Sequence, residues 1–276
     1  MTYASLMVSM PLGRSNDALL RVTARLAERF QSGVIGVAAC RPIQAVCSDY
    51  AVPAKLFEED RKQIAMQLKA AEAEFRAALQ ARAGHLEWRP RTTMSALSVH
   101  LAREARSADL VLVGIDNSPL PLDPTRHVDV RDLVMQIGRP VLFVPTTAAV
   151  ATFDRVLVGW KDTRESQRAI ADALPFLARA TQVTVAGIAA QEELAEVRTQ
   201  LAEVTGWLEH HGVAARSLAA PARGTHANEL GALAEELGAD LIVAGAYGHS
   251  RQRDWVLGGV TSDLLVRADR CSLMSH

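Results

Sequence analysis

Two stretches of the chain repeat one order of elements. Leu101-Ala-Arg-Glu-Ala-Arg-Ser-Ala-Asp-Leu-Val-Leu-Val-Gly114 and Leu233-Ala-Glu-Glu-Leu-Gly-Ala-Asp-Leu-Ile-Val-Ala-Gly245 each read as a helix end, an Ala-Asp turn, a buried strand and a glycine. A chain that repeats such a unit folds it twice, so the repeat divides the 276 residues into two domains, a choice that length alone leaves open. Ala108 and Ala239 stand 131 positions apart, whereas the strand ends Met10 and Trp160 stand 150 apart, so the first copy carries the difference, 19 extra residues. They are expected between Arg41 and Asp60, where Pro42 and Pro53 interrupt the periodicity.

Periodicity supplies the elements of the second copy. Val156 to Gly159 is a short apolar strand, and Thr163 to Ala180 has helical spacing, with Ala169, Ala173, Leu174 and Leu177 on one face and Thr163 as N-cap. Val183 to Ile188 is β-rich, Glu192 to His211 is a long amphipathic helix, and Val213 to Leu218 is strand-like. Thr225 to Leu237 is a helix with Thr225 or Asn228 as cap and Gly238 as its stop. Asp240 to Gly245 is a strand, Gly258 to Ala268 a helix, and Cys271 to Met274 a last apolar strand. The first copy follows the same plan over about 4–10, 15–31, 33–40, 54–82, 85–91, 94–106, 109–114, 129–138 and 140–145.

Strands alternating with helices predict an α/β fold: two tandem five-stranded, mostly parallel sheets with right-handed crossovers and helices on both faces, Rossmann-like. The stretch from Thr146 to Thr152 is the natural linker, which gives domains 1–148 and 152–276. Hydrophobic residues make up 49% and aromatics only 5%, so the core is expected to be aliphatic. With 30 basic against 31 acidic residues there is no sign of a polyanion-binding surface, hence no nucleic-acid partner. Cys40, Cys47 and Cys271 are odd in number and lack CxxC spacing, which points away from a disulfide framework or a zinc site and toward a reducing cytoplasm. Met1 to Pro11 lacks the basic start and unbroken apolar stretch of a signal peptide, and no apolar run is long enough to span a bilayer.

Chemistry concentrates at the end of the fourth strand of copy two. Gly245-Ala-Tyr-Gly248 is followed by nine residues and then Gly258-Gly259-Val260-Thr261. In an open parallel sheet, ligands bind at the carboxyl ends of strands. Gly245 lets the backbone turn off the strand, Gly248 permits close approach, and Gly258-Gly259 opens a helix whose free N–H groups favour an anion, a phosphate chain being the expected one. The alternative is that these are ordinary turn and helix-start glycines.

Gly-x-x-Gly, nine residues, then Gly and a small residue, at the fourth strand of a unit of about this size, resembles the universal stress protein family. The Trp160 strand end, Asp172-Ala-Leu-Pro175, Gly258-Gly-Val-Thr261 and the terminal Leu273-Met-Ser-His276 resemble its tandem-domain bacterial branch. The resemblance implies the adenine nucleotide alpha hydrolase-like fold, and ATP or another adenine nucleotide held by Gly245, Gly248, Gly258, Gly259 and Val260, and it allows Mg2+ with the nucleotide. It also implies that the two domains dock through Val141 to Pro145 and Cys271 to Ser275 as an intramolecular pseudo-dimer; a homodimer is the other assembly considered. Two departures stand out. Gly259 replaces the Ser or Thr that usually ends the family's loop, and Lys161, with Asp162 next to it, stands where nucleotide-binding members carry an Asp after the first strand. Lysine has donors only, so it cannot accept a hydrogen bond from a nucleoside.

Copy one has lost this pattern: Gly114 is followed by Asn117 in place of the second glycine, the loop carries Pro119, Pro121 and Pro124, and His127 to Val130 contains no glycine. His210 and His211 read as a solvated helix end, and His249, Arg251 and Arg253 as loop residues that either face solvent or assist phosphates. The charged run Glu58 to Lys62 reads as the solvated side of a long helix whose apolar side is Ile64, Met66, Leu68, Ala71, Phe75 and Leu79. The leading expectation is a non-enzymatic stress-response or regulatory protein with adenine-nucleotide binding in its C-terminal domain. The alternatives are a nucleotide-free interaction module and a slow ATPase or phosphotransfer enzyme, with Asp162 and Asp254 the nearest carboxylates.

Overall fold

The protein is described by a computed structural model covering residues 2–43, 54–116, 123–148, 152–246 and 270–276. These residues gather into two compact units, Thr2–Arg139 and Pro140–His276.

In the first unit, β1 (Ser5–Ser9), β2 (Gly33–Cys40), β3 (Leu86–Thr92) and β4 (Leu110–Ile115) form parallel neighbours in the order β3-β2-β1-β4. Helices α1 (Asp17–Phe30), α2 (Ala54–Leu79) and α3 (Leu97–Glu104) connect them, and α4 (Val130–Gln136) follows β4. Leu6, Met7, Val8, Leu110, Val111 and Leu112 are wholly buried, as an unbroken apolar run must be when helices cover both faces of a parallel strand. The 19 additional residues lie partly in helix, because α2 has 26 residues where its counterpart in the second copy has 17. Ile64, Ala71, Phe75 and Leu79 form its buried stripe, but Met66 is 65% exposed. Two residues from Ile64, Met66 lies on another side of a 3.6-residue turn, so it is not part of the packed face.

In the second unit, β5 (Val141–Pro145), β6 (Arg155–Trp160), β7 (Gln182–Ala189), β8 (Ala215–Pro221), β9 (Leu241–Gly245) and β10 (Cys271–Ser275) are ordered β5-β10-β9-β6-β7-β8. All are parallel neighbours except β5, which runs antiparallel to β10 with Val141 opposite Met274 and Phe143 opposite Ser272. Thus β5 closes the first sequence repeat yet pairs with the strand that closes the second. Helix α5 (Arg164–Leu177) starts at Thr163, whose hydroxyl accepts from Ser166 N–H, and buries the predicted stripe Ala169, Ala173, Leu174 and Leu177. Helix α6 is Leu194–His210. Helix α7 (His226–Glu236) is capped by Thr225, which accepts from Asn228 N–H, so Asn228 lies inside the first turn and is not the cap. Gly238 ends it in the left-handed region (φ 57°), and Ala239 N–H reaches back to Ala234 O, closing the last turn. The expected helix from Gly258 to Ala268 lies outside the described residues.

Candidate functional site

The second unit contains one reversal of chain direction across its sheet. From β6 the chain winds outward through β7 to β8, then returns to β9 on the other side of β6. Such a reversal leaves a crevice between the carboxyl ends of the two central strands, since the helices that follow them depart to opposite sides. Here the crevice lies between β6 and β9, which are in register with Gly159 opposite Ala244.

Gly245 ends β9 at this crevice. A Cβ on it would lie 2.6 Å from the backbone nitrogen of Ser166 and 2.7 Å from the carbonyl carbon of Glu165. The first turn of α5 therefore packs on the strand end at backbone contact, and the glycine is a steric requirement. Beyond it, Ala246 N–H donates to Ser275 O, and the His276 ring Nδ1 lies 3.0 Å from Ala246 O. Ser275 Oγ donates to the Asp172 carboxylate at 2.8 Å, which ties the terminal Leu273-Met-Ser-His276 motif to the Asp172-Ala-Leu-Pro175 motif on α5.

Trp160, Lys161 and Asp162 leave the end of β6. The side chains of Lys161 and Asp162 are exposed at the mouth of the crevice, whereas Trp160 is half-buried and its indole Nε1–H is buried without an acceptor among the described residues. Glu165, in the first turn of α5, is only 5% exposed. Burial alone would raise its pKa, but hydrogen bonds from Arg164, its own backbone N–H and Thr163 outweigh that and hold the carboxyl below its usual range. The N-terminus of α5 thus carries an anion of its own, and an incoming phosphate must find donors elsewhere. Of the predicted phosphate-facing residues, Gly245 is placed at the crevice, while Gly248, Gly258, Gly259 and Val260 lie outside the described residues, as do His249, Arg251, Arg253 and Asp254.

The corresponding crevice of the first unit, between β1 and β4, is built differently. Arg14 after β1 pairs with Asp116 after β4 at 2.7 Å, spanning it. The segment leading into α4 is pinned down by its own side chains. Asp123 accepts from Thr125 N–H and Oγ–H. Arg126, 8% exposed, donates to Asp60 on α2 at 2.7 Å, to Arg41 O at 2.7 Å and to Gln67 Oε1 at 3.1 Å. The free N–H groups of Arg131 and Asp132 at the start of α4 both donate to Asp129 Oδ1. A carboxylate of the chain therefore sits where a bound phosphate would cap this helix. Neither Arg126 nor Asp60 carries a local sequence signal for this role: Asp60 belongs to the run read as solvated, and its partner is 66 residues away.

A scan against protein-family models gives no match, and a search of curated proteins gives none. Among solved structures, a universal stress protein from Archaeoglobus fulgidus DSM 4304 is 13% identical and covers 98% of this chain and 95% of its own, with a TM-score of 0.73. A functionally unknown protein from Pseudomonas aeruginosa PAO1 is 15% identical over 99% of this chain and 92% of its own, with a TM-score of 0.59. A third, from Pseudomonas aeruginosa UCBPP-PA14 and assigned to the universal stress proteins, is 17% identical over 99% of this chain and 93% of its own, with a TM-score of 0.62. The mostly parallel sheets with a reversal point place this chain among α/β proteins of the Rossmann-like class. Its fold is, more narrowly, that of the tandem universal stress proteins.

Proposed function

We propose that this chain is a tandem universal stress protein that acts by binding, with one adenine-nucleotide site in its C-terminal repeat and none in its N-terminal repeat. The observation that carries this reading is the contrast between two equivalent strand-end crevices. At β6 and β9 the chain supplies a strand-ending glycine packed on backbone, and no ion pair crosses the gap among the described residues. At β1 and β4 the Arg14–Asp116 pair spans the gap, and Asp129 occupies the helix start.

The phosphates belong on Gly248, Gly258, Gly259 and Val260, because Glu165 already neutralises the start of α5. ATP or another adenine nucleotide is the ligand class, with Mg2+ arriving on the phosphates. The β5–β10 pairing supports a role for the N-terminal repeat as a built-in pseudo-dimer partner. Mass spectrometry of small molecules released from freshly purified, denatured protein tests the reading. An adenine nucleotide near one equivalent supports it. An empty protein that also shows no melting shift with ATP supports the nucleotide-free interaction module instead.

A further inference from the structure

Beside the crevice, a cavity of about 360 Å³ opens between α5 and α6 of the second unit. That is within the size range of small-molecule sites, which begins at about 300 Å³. Its composition differs from that of a phosphate site. Trp160 at the end of β6 and Trp207 on α6 form aromatic walls, and Ile170 and Val204 add aliphatic surface. Asp162 and Glu203 place two carboxylates on the lining, with no Lys or Arg among its described residues. Neither carboxylate has an ion-pair partner among the described residues, and the exposed Lys161, although it lies between Trp160 and Asp162 in sequence, does not line the cavity.

Two features converge on one ligand chemistry. Two indole rings stand on the lining, and indole attracts a cation through its ring quadrupole, most strongly when the ligand sheds water. Two carboxylates with no ion-pair partner among the described residues add attraction for positive charge and repel phosphate. Trp207 is 38% exposed although it is a large apolar group, and its ring lies 4.4 Å from that of His211, which fixes its orientation at the rim. On α6, Glu203, Val204 and Trp207 follow one another at helical spacing, so one face of the helix presents the whole outer wall.

We propose that this cavity, which shares Trp160 and Asp162 with the mouth of the crevice, is a binding site for a small organic cation of the ammonium type. Calorimetric titration of the full chain tests it, with choline and benzyltrimethylammonium as probes and 3,3-dimethylbutan-1-ol as the uncharged isostere of choline. Saturable binding of at least one cation is expected, with the alcohol about tenfold weaker or undetectable. Trp207→Ala should weaken cation binding about five- to tenfold and Glu203→Gln about two- to fivefold. Both side chains are exposed or at the rim, so unchanged far-ultraviolet circular dichroism and melting would show that the variants remain folded. Failure of both cations to saturate, equal binding of the neutral alcohol, or undiminished binding in both variants would overturn the proposal. ATP titration of the same variants distinguishes this proposal from the nucleotide reading, since Glu203 and Trp207 are on α6 and are not residues of the glycine motif.

Discussion

The Arg126 guanidinium donates to the Asp60 carboxylate at 2.7 Å, and with 9% and 12% of their side chains exposed the two charges are nearly withdrawn from water. Further bonds from Arg126 to Arg41 O, Gln67 and Thr125 make one knot of the end of β2, the start of α2 and the segment before α4. Removing one partner leaves the other charge buried without its counter-ion. Arg126→Met should therefore destabilise the protein by about 3 kcal/mol, more than the double variant Arg126→Met/Asp60→Leu. Chemical denaturation of the parent, Arg126→Met, Asp60→Leu and the double variant checks this; a double-variant loss equal to the sum of the two single losses would mean that the pair is not coupled.

Gly245→Ala would place a methyl group against the backbone of Glu165 and Ser166, where no side chain can turn aside. The expected cost is about 2 kcal/mol, as for other overpacked sites. Thermal melting should show a loss of several degrees. A melting point equal to the parent's would show that α5 is not held against β9 as described.

Glu165 sets a pH dependence. Its folded pKa lies below the usual value of 4.5, so its contribution to stability is complete above that pH and is lost as pH falls through the lower folded value. Between about pH 5 and 3, Glu165→Gln should lose stability less steeply than the parent. Melting temperatures measured at half-unit steps would reveal parallel curves if the carboxylate has no such role.

Cys40 and Cys271 are free but buried, and burial pushes both thiols up, Cys271 to about 12. Only the thiolate attacks alkylating reagents. Iodoacetamide at pH 8 should leave the peptides containing Cys40 and Cys271 unmodified in native protein and label them after denaturation. Rapid native labelling of Cys271 would contradict the packing of β10 between β5 and β9.

Much of the fold could be read from sequence because its signals are local. The Leu110–Ile115 and Leu241–Gly245 strands are apolar runs ended by turn chemistry, and the Thr163 and Thr225 caps and the Gly238 stop need only their neighbours. What escaped depends on distant partners. Asp60 looks solvated until Arg126 is folded onto it, and Met66 looks like a core residue until the helix phase is fixed by Ile64, Ala71 and Phe75. At the candidate site, Gly245 was marked for leaving the strand, but its stronger reason, the backbone of α5 lying against it, belongs to tertiary packing. The organic-cation cavity was equally hidden, since Trp160 and Trp207 stand 47 positions apart and meet only when α5 and α6 lie side by side.

The proposed function puts one nucleotide site in each chain, in the C-terminal repeat. Equilibrium titration of the full chain with ATP, run in parallel on the parent, Gly248→Val and Asp116→Asn, tests it most directly. About one equivalent bound by the parent, loss of binding in Gly248→Val and no change in Asp116→Asn are expected. Two equivalents per chain, no saturable binding, or undiminished binding in Gly248→Val would contradict it.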